Sequence, residues 1–238
     1  MKRLLNYFHP LERLKRARKR CLETMPLPEV LIDLMAFPTP NLHDLAKDVD
    51  FIVLDLETTG LDSQNDLILS VGWVEMSNGK VDLSTARHLY IDDDSQINPE
   101  TAVINHITPQ MLSEGVSIHD AMMAFFEAAK GKLVVAHGCV VEENFIQHYL
   151  SQYYHIHSLP LIWVDTLRLE KSMEMAISQH EEVDLTLSGT RQRYALPEYN
   201  GHNALADAIS TAELFLVQQK RLTARKPLTV AVIYRLGR

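Results

Sequence analysis

Phe51-Ile52-Val53-Leu54-Asp55-Leu56-Glu57-Thr58-Thr59-Gly60 decides how the rest of the chain is read. Four consecutive apolar residues run into a polar, glycine-terminated turn, the pattern of a strand buried on both faces at the centre of a sheet. Side chains alternate along a strand, so Asp55 and Glu57 share a face with Val53, while Leu54 and Leu56 point the other way. Two carboxylates thus stand side by side at the end of a hydrophobic strand. Holding like charges there is costly unless a cation neutralises them, and hard oxygen ligands suit Mg²⁺ or Mn²⁺. Taken alone, an Asp-x-Glu reads as a solvated strand end with two unrelated acids. The residues around it change that reading.

Working outward, Leu67 to Met76 and Val81 to Ile91 are two apolar-rich runs separated by Ser77-Asn78-Gly79-Lys80, a hairpin signal. Asn98-Pro99-Glu100 begins a helix. Ser117-Ile118-His119-Asp120 opens an amphipathic one, whose Ala121, Met122, Phe125, Phe126 and Ala129 form a core stripe. Leu133 to Ala136 and Leu161 to Val164 are further strands; a helix from about Val140 to Gln152 separates them, and Asp165-Thr166 caps the next. Asn203 is a good N-cap for a long helix from Ala204 to about Gln219. Leu228 to Tyr234 reads as an additional strand. A hairpin followed by strands alternating with helices describes an α/β fold with a mixed sheet.

At 238 residues and 46% apolar content the chain can bury one sizeable core. No apolar run approaches the ~20 residues of a membrane helix. The N-terminus lacks the apolar stretch of a secretory signal. Cys21 and Cys139 are too few and too scattered for a disulfide framework, which points to a reducing cytoplasm.

The net charge of −8 is unevenly spread, because residues 1–20 hold eight Lys/Arg against one Glu. The remaining body is strongly acidic and attracts no polyanion through its overall field. Phosphate binding there must rest on local sites, on metals or on the basic arm. Leu11, Leu14, Ala17 and Cys21 recur at helical spacing after Pro10, opposite Arg13, Lys15, Arg16, Lys19 and Arg20. Such a helix is either an arm for nucleic acid or an acidic partner, or a solvated helix laid on the domain. Pro28 to Met35 reads as a short second helix, and Pro38-Thr39-Pro40 breaks the chain. The expected division is a basic helical extension over 1–48, a catalytic domain over 49–220 and a basic tail with an extra strand over 221–238.

Asp55-Leu56-Glu57-Thr58-Thr59-Gly60-Leu61 resembles the first motif of the DnaQ-like (DEDDh) 3'-5' exonucleases. Two further stretches fit the same family. His202 and Asp207, beside Asn203-Ala204-Leu205-Ala206-Asp207-Ala208, resemble its third motif. His137-Gly138-Cys139-Val140-Val141-Glu142-Glu143-Asn144-Phe145-Ile146 resembles the second, with Glu142 where the family has Asp and Glu143 as a rival. Glu142 keeps the charge but carries it one methylene further out. The resemblance covers roughly Asp50 to Gln219.

The resemblance implies a ribonuclease H-like, mixed five-stranded sheet flanked by helices. It implies two Mg²⁺ (or Mn²⁺) ions held by Asp55, Glu57, Glu142 and Asp207, with His202 as the general base. It further implies that Thr58 and Leu61 hold the 3'-terminal nucleotide, with His106 and His137 as additional substrate contacts. The activity to expect is metal-dependent 3'-5' hydrolysis of DNA to 5'-nucleotides, with single-stranded 3' ends as substrate and a DNA polymerase or another replication or repair protein as partner. Two alternatives stand beside it: an exoribonuclease of the same superfamily, and a non-catalytic nucleic-acid- or polymerase-binding module whose second motif has decayed.

Overall fold

The computed structural model describes residues 7–92, 107–175, 183–199, 201–223 and 226–238. A five-stranded mixed sheet, in the order β3-β2-β1-β4-β5, forms its centre. The strands are β1 (Phe51–Thr58), β2 (Ile68–Ser77), β3 (Lys80–Tyr90), β4 (Leu133–Ala136) and β5 (Trp163–Asp165). β1 pairs antiparallel with β2 and parallel with β4, so the expected hairpin and βαβ halves meet at β1. Asn78 and Gly79 both take positive φ at the β2–β3 turn, as a tight hairpin requires.

The alternation of β1 separates two cores. Ile52, Leu54 and Leu56 pack in one with α1 (Pro10–Thr24), α2 (Glu29–Ala36), α4 (Ile118–Ala128) and α5 (Val140–Tyr154). The stripe Ala121, Met122, Phe125 and Phe126 is wholly buried there, with Ala129 beside it. Phe51 and Val53 pack on the other side with α6 (Thr166–Glu174), α8 (Ala204–Thr223) and α9 (Val230–Leu236). Two short helices, α3 (Pro109–Ser113) and α7 (Leu187–Arg193), and a 3-10 turn over Ala46–Asp48 join these elements.

The segment Leu228 to Tyr234 is not the strand its β-branched residues suggest. Val230–Leu236 is a helix that buries Val230, Ile233 and Tyr234 on one side, so packing against the second core overrides intrinsic strand preference. The C-terminal Gly237 carbonyl accepts the Asp165 N–H at the end of β5. The helix expected at Asn98 lies outside the described residues.

The N-terminal helix is laid on the domain. Leu11 is fully buried, and Arg18 is 7% exposed, donating to the carbonyls of Leu34 (2.6 Å), Met35 (3.3 Å) and Pro160 (3.4 Å). Burial lowers the Arg18 guanidinium to about 10. Arg13, Lys19 and Arg20 remain on the exposed side.

Candidate active site

Asp55 and Glu57 sit at the carboxyl end of β1, on the face toward α8. A register shift between Glu57 and Thr58 bends the strand there. Directly opposite Asp55 in the ladder is Gly72 of β2. A Cβ on Gly72 would overlap the backbone of Ala204 and Leu205, so the missing side chain lets the first turn of α8 press against the sheet. Small residues continue the contact, with Ala204, Ala208 and Ala212 fully buried ahead of Phe215. The buried stripe runs along these alanines, while Leu205, Ile209 and Leu216 are half-buried beside it.

This close approach delivers Asp207, in the second turn of α8, to the two carboxylates of β1. Oxygen atoms of Asp55, Glu57 and Asp207 all lie within 4.8 Å of one another. Asn203 caps the helix as its sequence suggests, its side-chain oxygen accepting the Ala206 N–H at 3.0 Å. His202 precedes the cap in left-handed conformation, φ 64°, and its backbone N–H donates to Asp207 Oδ2 at 2.9 Å. The imidazole is exposed at the rim, near enough that its charge acts on Asp207.

Glu142 enters from the first turn of α5. It is 5% exposed, and its Oε2 has no hydrogen-bond partner among the described residues. Its charge bears on Asp55 more strongly than those of Asp207 and Glu57. Glu143 turns elsewhere, into the field of Arg168 and Arg238. Glu142 is thus the second-motif acid whose charge bears on Asp55, while the carboxylates that close within 4.8 Å are those of Asp55, Glu57 and Asp207.

Burial and crowding show in the acidities. Burial, reinforced by Glu142, Asp207 and Glu57, pushes Asp55 well above the usual carboxylate range. Glu57 is raised to about 7 by burial and by Asp207, and Glu142 to about 8, chiefly by burial. Asp207 is raised by burial against the pull of the His202 and Asn203 N–H groups. Four crowded acids and an orphaned buried oxygen are the donor set that a hard divalent cation fits.

The other expected residues fall around this cluster. Thr58 Oγ1 donates to the Gly60 carbonyl at 2.6 Å, and Leu61 is 77% exposed beside it. The turn is held by Asp66, whose carboxylate accepts from Thr59 Oγ1 at 2.9 Å and from the Asp62 N–H at 2.9 Å. His137 is a strut: Nδ1 meets Thr166 Oγ1 at 2.8 Å, and Nε2 meets the Leu185 carbonyl at 2.9 Å. A substrate contact by its ring nitrogens would require one of these bonds to break. Burial lowers its pKa, which favours the neutral ring. His106 lies outside the described residues.

Gly72, Asp66 and Arg191 escaped the sequence reading. An isolated glycine between Val71 and Trp73 in an apolar strand was a usable sign of close backbone approach. Asp66 and Arg191 carried no comparable sign. Arg191 lines a cleft of 460 Å³ together with Tyr199, His202, Asp207 and Ser210.

Comparison with known proteins gives the family and the fold. A sequence model of the exonuclease family RNase_T matches residues 52–215. The PolC-type DNA polymerase III of Thermotoga maritima is 30% identical over 173 residues, covering 71% of this chain and 12% of that protein. The 3'-5' exonuclease DinG of Staphylococcus haemolyticus is 30% identical over 166 residues, covering 70% of this chain and 18% of that protein. The chain thus spans less than a fifth of the length of either relative.

Among solved structures, the nuclease domain of 3'hExo, a DEDDh family member bound to rAMP, superposes with a TM-score of 0.61 at 13% identity, covering 75% of this chain and 94% of that one. Exonuclease X in complex with 5' overhanging duplex DNA gives 0.57 at 19% identity, with 77% and 99% covered. At these identities the likeness speaks to the fold: a mixed sheet with helices on both faces. With the family match spanning β1 to α8 and all four acids inside it, the chain belongs to the RNase_T exonuclease family.

Proposed function

We propose that this chain is a metal-dependent 3'-5' exonuclease that hydrolyses the terminal phosphodiester of a single-stranded DNA 3' end and releases a 5'-nucleotide. The observation that carries this reading is the meeting of Asp55, Glu57 and Asp207 within 4.8 Å, with the charge of buried Glu142 bearing on Asp55. Two Mg²⁺ or Mn²⁺ ions bound by these four residues would acidify a water and neutralise charge growing on the phosphate. His202, at the open rim beside Asp207, accepts the proton of the attacking water. Thr58 and exposed Leu61, on the turn braced by Asp66, seat the terminal nucleotide.

The relatives named for DNA polymerase III and for a 3'-5' exonuclease support proofreading or repair, with a polymerase as a partner. No helix of the described residues is long and apolar enough to cross a membrane. A cytoplasmic site of action fits the two buried free thiols, Cys21 and Cys139.

The test is a substrate panel of 3'- and 5'-labelled oligonucleotides with Mg²⁺ or Mn²⁺. Stepwise shortening of the 3' end, lost in Asp55→Ala, is expected; metal-independent binding without shortening would sink the reading. One observation favours a ribonuclease: the similar 3'hExo structure holds rAMP. Matched DNA and RNA strands in the same panel separate the two.

A further inference from the structure

Between α7 and α8 the chain runs through Tyr194 to Asn203 and carries His202 to the site. Tyr194 is tied to Glu170 and Arg221 at the start of this stretch, and the Arg191 side chain holds it further on, at Pro197 and Tyr199. Arg191, 4% exposed, donates from Nη2 to the Pro197 carbonyl at 2.8 Å and to Glu213 Oε2 at 2.8 Å, and from Nη1 to the Ser210 carbonyl. Its own backbone carbonyl accepts the N–H of Leu196 at 3.1 Å. Its guanidinium lies over the Tyr199 ring, 4.9 Å from the centroid, and the Tyr199 hydroxyl donates to the second oxygen of Glu213 at 2.9 Å. The loop is therefore clamped at 196, 197 and 199 to a residue of α7 and to Glu213 on α8.

The next described anchor is the bond from the His202 N–H to Asp207. Ser210 stands three residues after Asp207, so Arg191 grips α8 within a turn of the carboxylate it helps His202 to face. A planar fork that reaches three acceptors at once fixes both ends of this loop relative to one another, which an ammonium group does not do.

We infer that Arg191 is a positioning residue for the reaction: it holds residues 196–199 so that the His202 imidazole is presented to the water site beside Asp207. This rests on the role proposed above for His202. Nothing in the arrangement requires Arg191 to touch the substrate.

The test is a double-mutant cycle on the full chain with a 3'-labelled single-stranded oligonucleotide and Mn²⁺. Arg191→Met is expected to lower kcat about 10- to 100-fold while KM moves by less than about 3-fold, with Arg191→Lys restoring only part of the loss. In a His202→Gln background Arg191→Met should cost nothing further. Equal losses in both backgrounds, or an unchanged kcat, would overturn the inference. Tyr199→Phe, which deletes one outer bond, provides a milder version that leaves Arg191 in place and should lose activity with the same non-additivity. Faster hydrogen exchange over 195–203 in Arg191→Met, with an unchanged Mn²⁺ affinity, is the accompanying physical readout. Wild-type protein without any 3'-end shortening would fail the proposed function itself; an active wild type with additive losses would fail the Arg191 role alone.

Discussion

The peptide joining Ala204 to Leu205 occupies the space where a side chain on Gly72 would be, and Gly72 is the ladder partner of Asp55. The width of the carboxylate cluster is therefore set by the sheet glycine behind it. A methyl group at that point collides with helix backbone and not with the tip of a flexible side chain, so the helix must move. Gly72→Ala should cost about 1–3 kcal/mol of stability and more than about 10-fold in turnover, because Asp207 moves with the helix. Urea unfolding together with single-turnover kinetics checks this; full activity at wild-type stability would show that α8 adjusts freely.

Removing one charge from the cluster should trade function for stability. In metal-free protein Asp55→Asn relieves repulsion from Glu142, Asp207 and Glu57, so its thermal midpoint should rise by about 2–4 °C, equivalent to roughly 1 kcal/mol in a chain of this size. Mn²⁺ should raise the midpoint of the wild type and leave that of the variant almost unmoved, while exonuclease turnover disappears in the variant. A lower midpoint for metal-free Asp55→Asn would contradict the repulsion account.

The same crowding fixes a pH dependence. Glu57 and Glu142 have folded acidities of about 7 and about 8, above the 4.5 of an unfolded glutamate. The folded state holds their protons more tightly than the unfolded state, so these groups impose no penalty below about pH 4.5. The penalty grows as pH rises through the window to about 8 and is complete above it. Chelator-treated protein should therefore lose stability between about pH 5 and 8, and saturating Mg²⁺ or Mn²⁺ should flatten that slope. Denaturant melts across the window, with and without metal, measure it.

Glu142 and Glu143 are adjacent in sequence and separated by their helix into different surroundings. Glu142→Gln should reduce turnover by about 10²-fold and weaken Mn²⁺ binding, whereas Glu143→Gln should stay within about 3-fold of wild type. Calorimetric metal titration alongside kinetics distinguishes them. A larger loss in Glu143→Gln would reassign the second-motif acid.

Arg18 ties the N-terminal helix to three carbonyls and is withdrawn from solvent. Arg18→Ala leaves those acceptors unpaired and should destabilise the protein by about 2–4 kcal/mol, with kcat for a short oligonucleotide within about 2-fold. Arg13→Ala and Arg20→Ala, on the exposed side, should leave the unfolding midpoint unchanged. Chemical denaturation of the three variants checks the contrast.

The strand carrying Asp55 and Glu57, the N-cap at Asn203 and the core stripe through Phe125 and Phe126 were legible because each is a local pattern: alternation, cap chemistry and helical period. The sequence alone thus determined the α/β order and marked Asp55, Glu57 and Asp207 as candidate acids, with His202 beside the last of them. What it left open depended on distant parts of the chain meeting. Leu228 to Tyr234 has strand composition and becomes a helix because the second core takes up its apolar side. Glu142 is separated from Glu143 by the rotation of one helix against one strand. Gly72 and Arg191 matter only through what lies across from them, a helix start over 130 residues later and a loop folded back on its own preceding helix. Such choices are made by close packing and by the need to satisfy buried charge, and both exist only once the chain has folded.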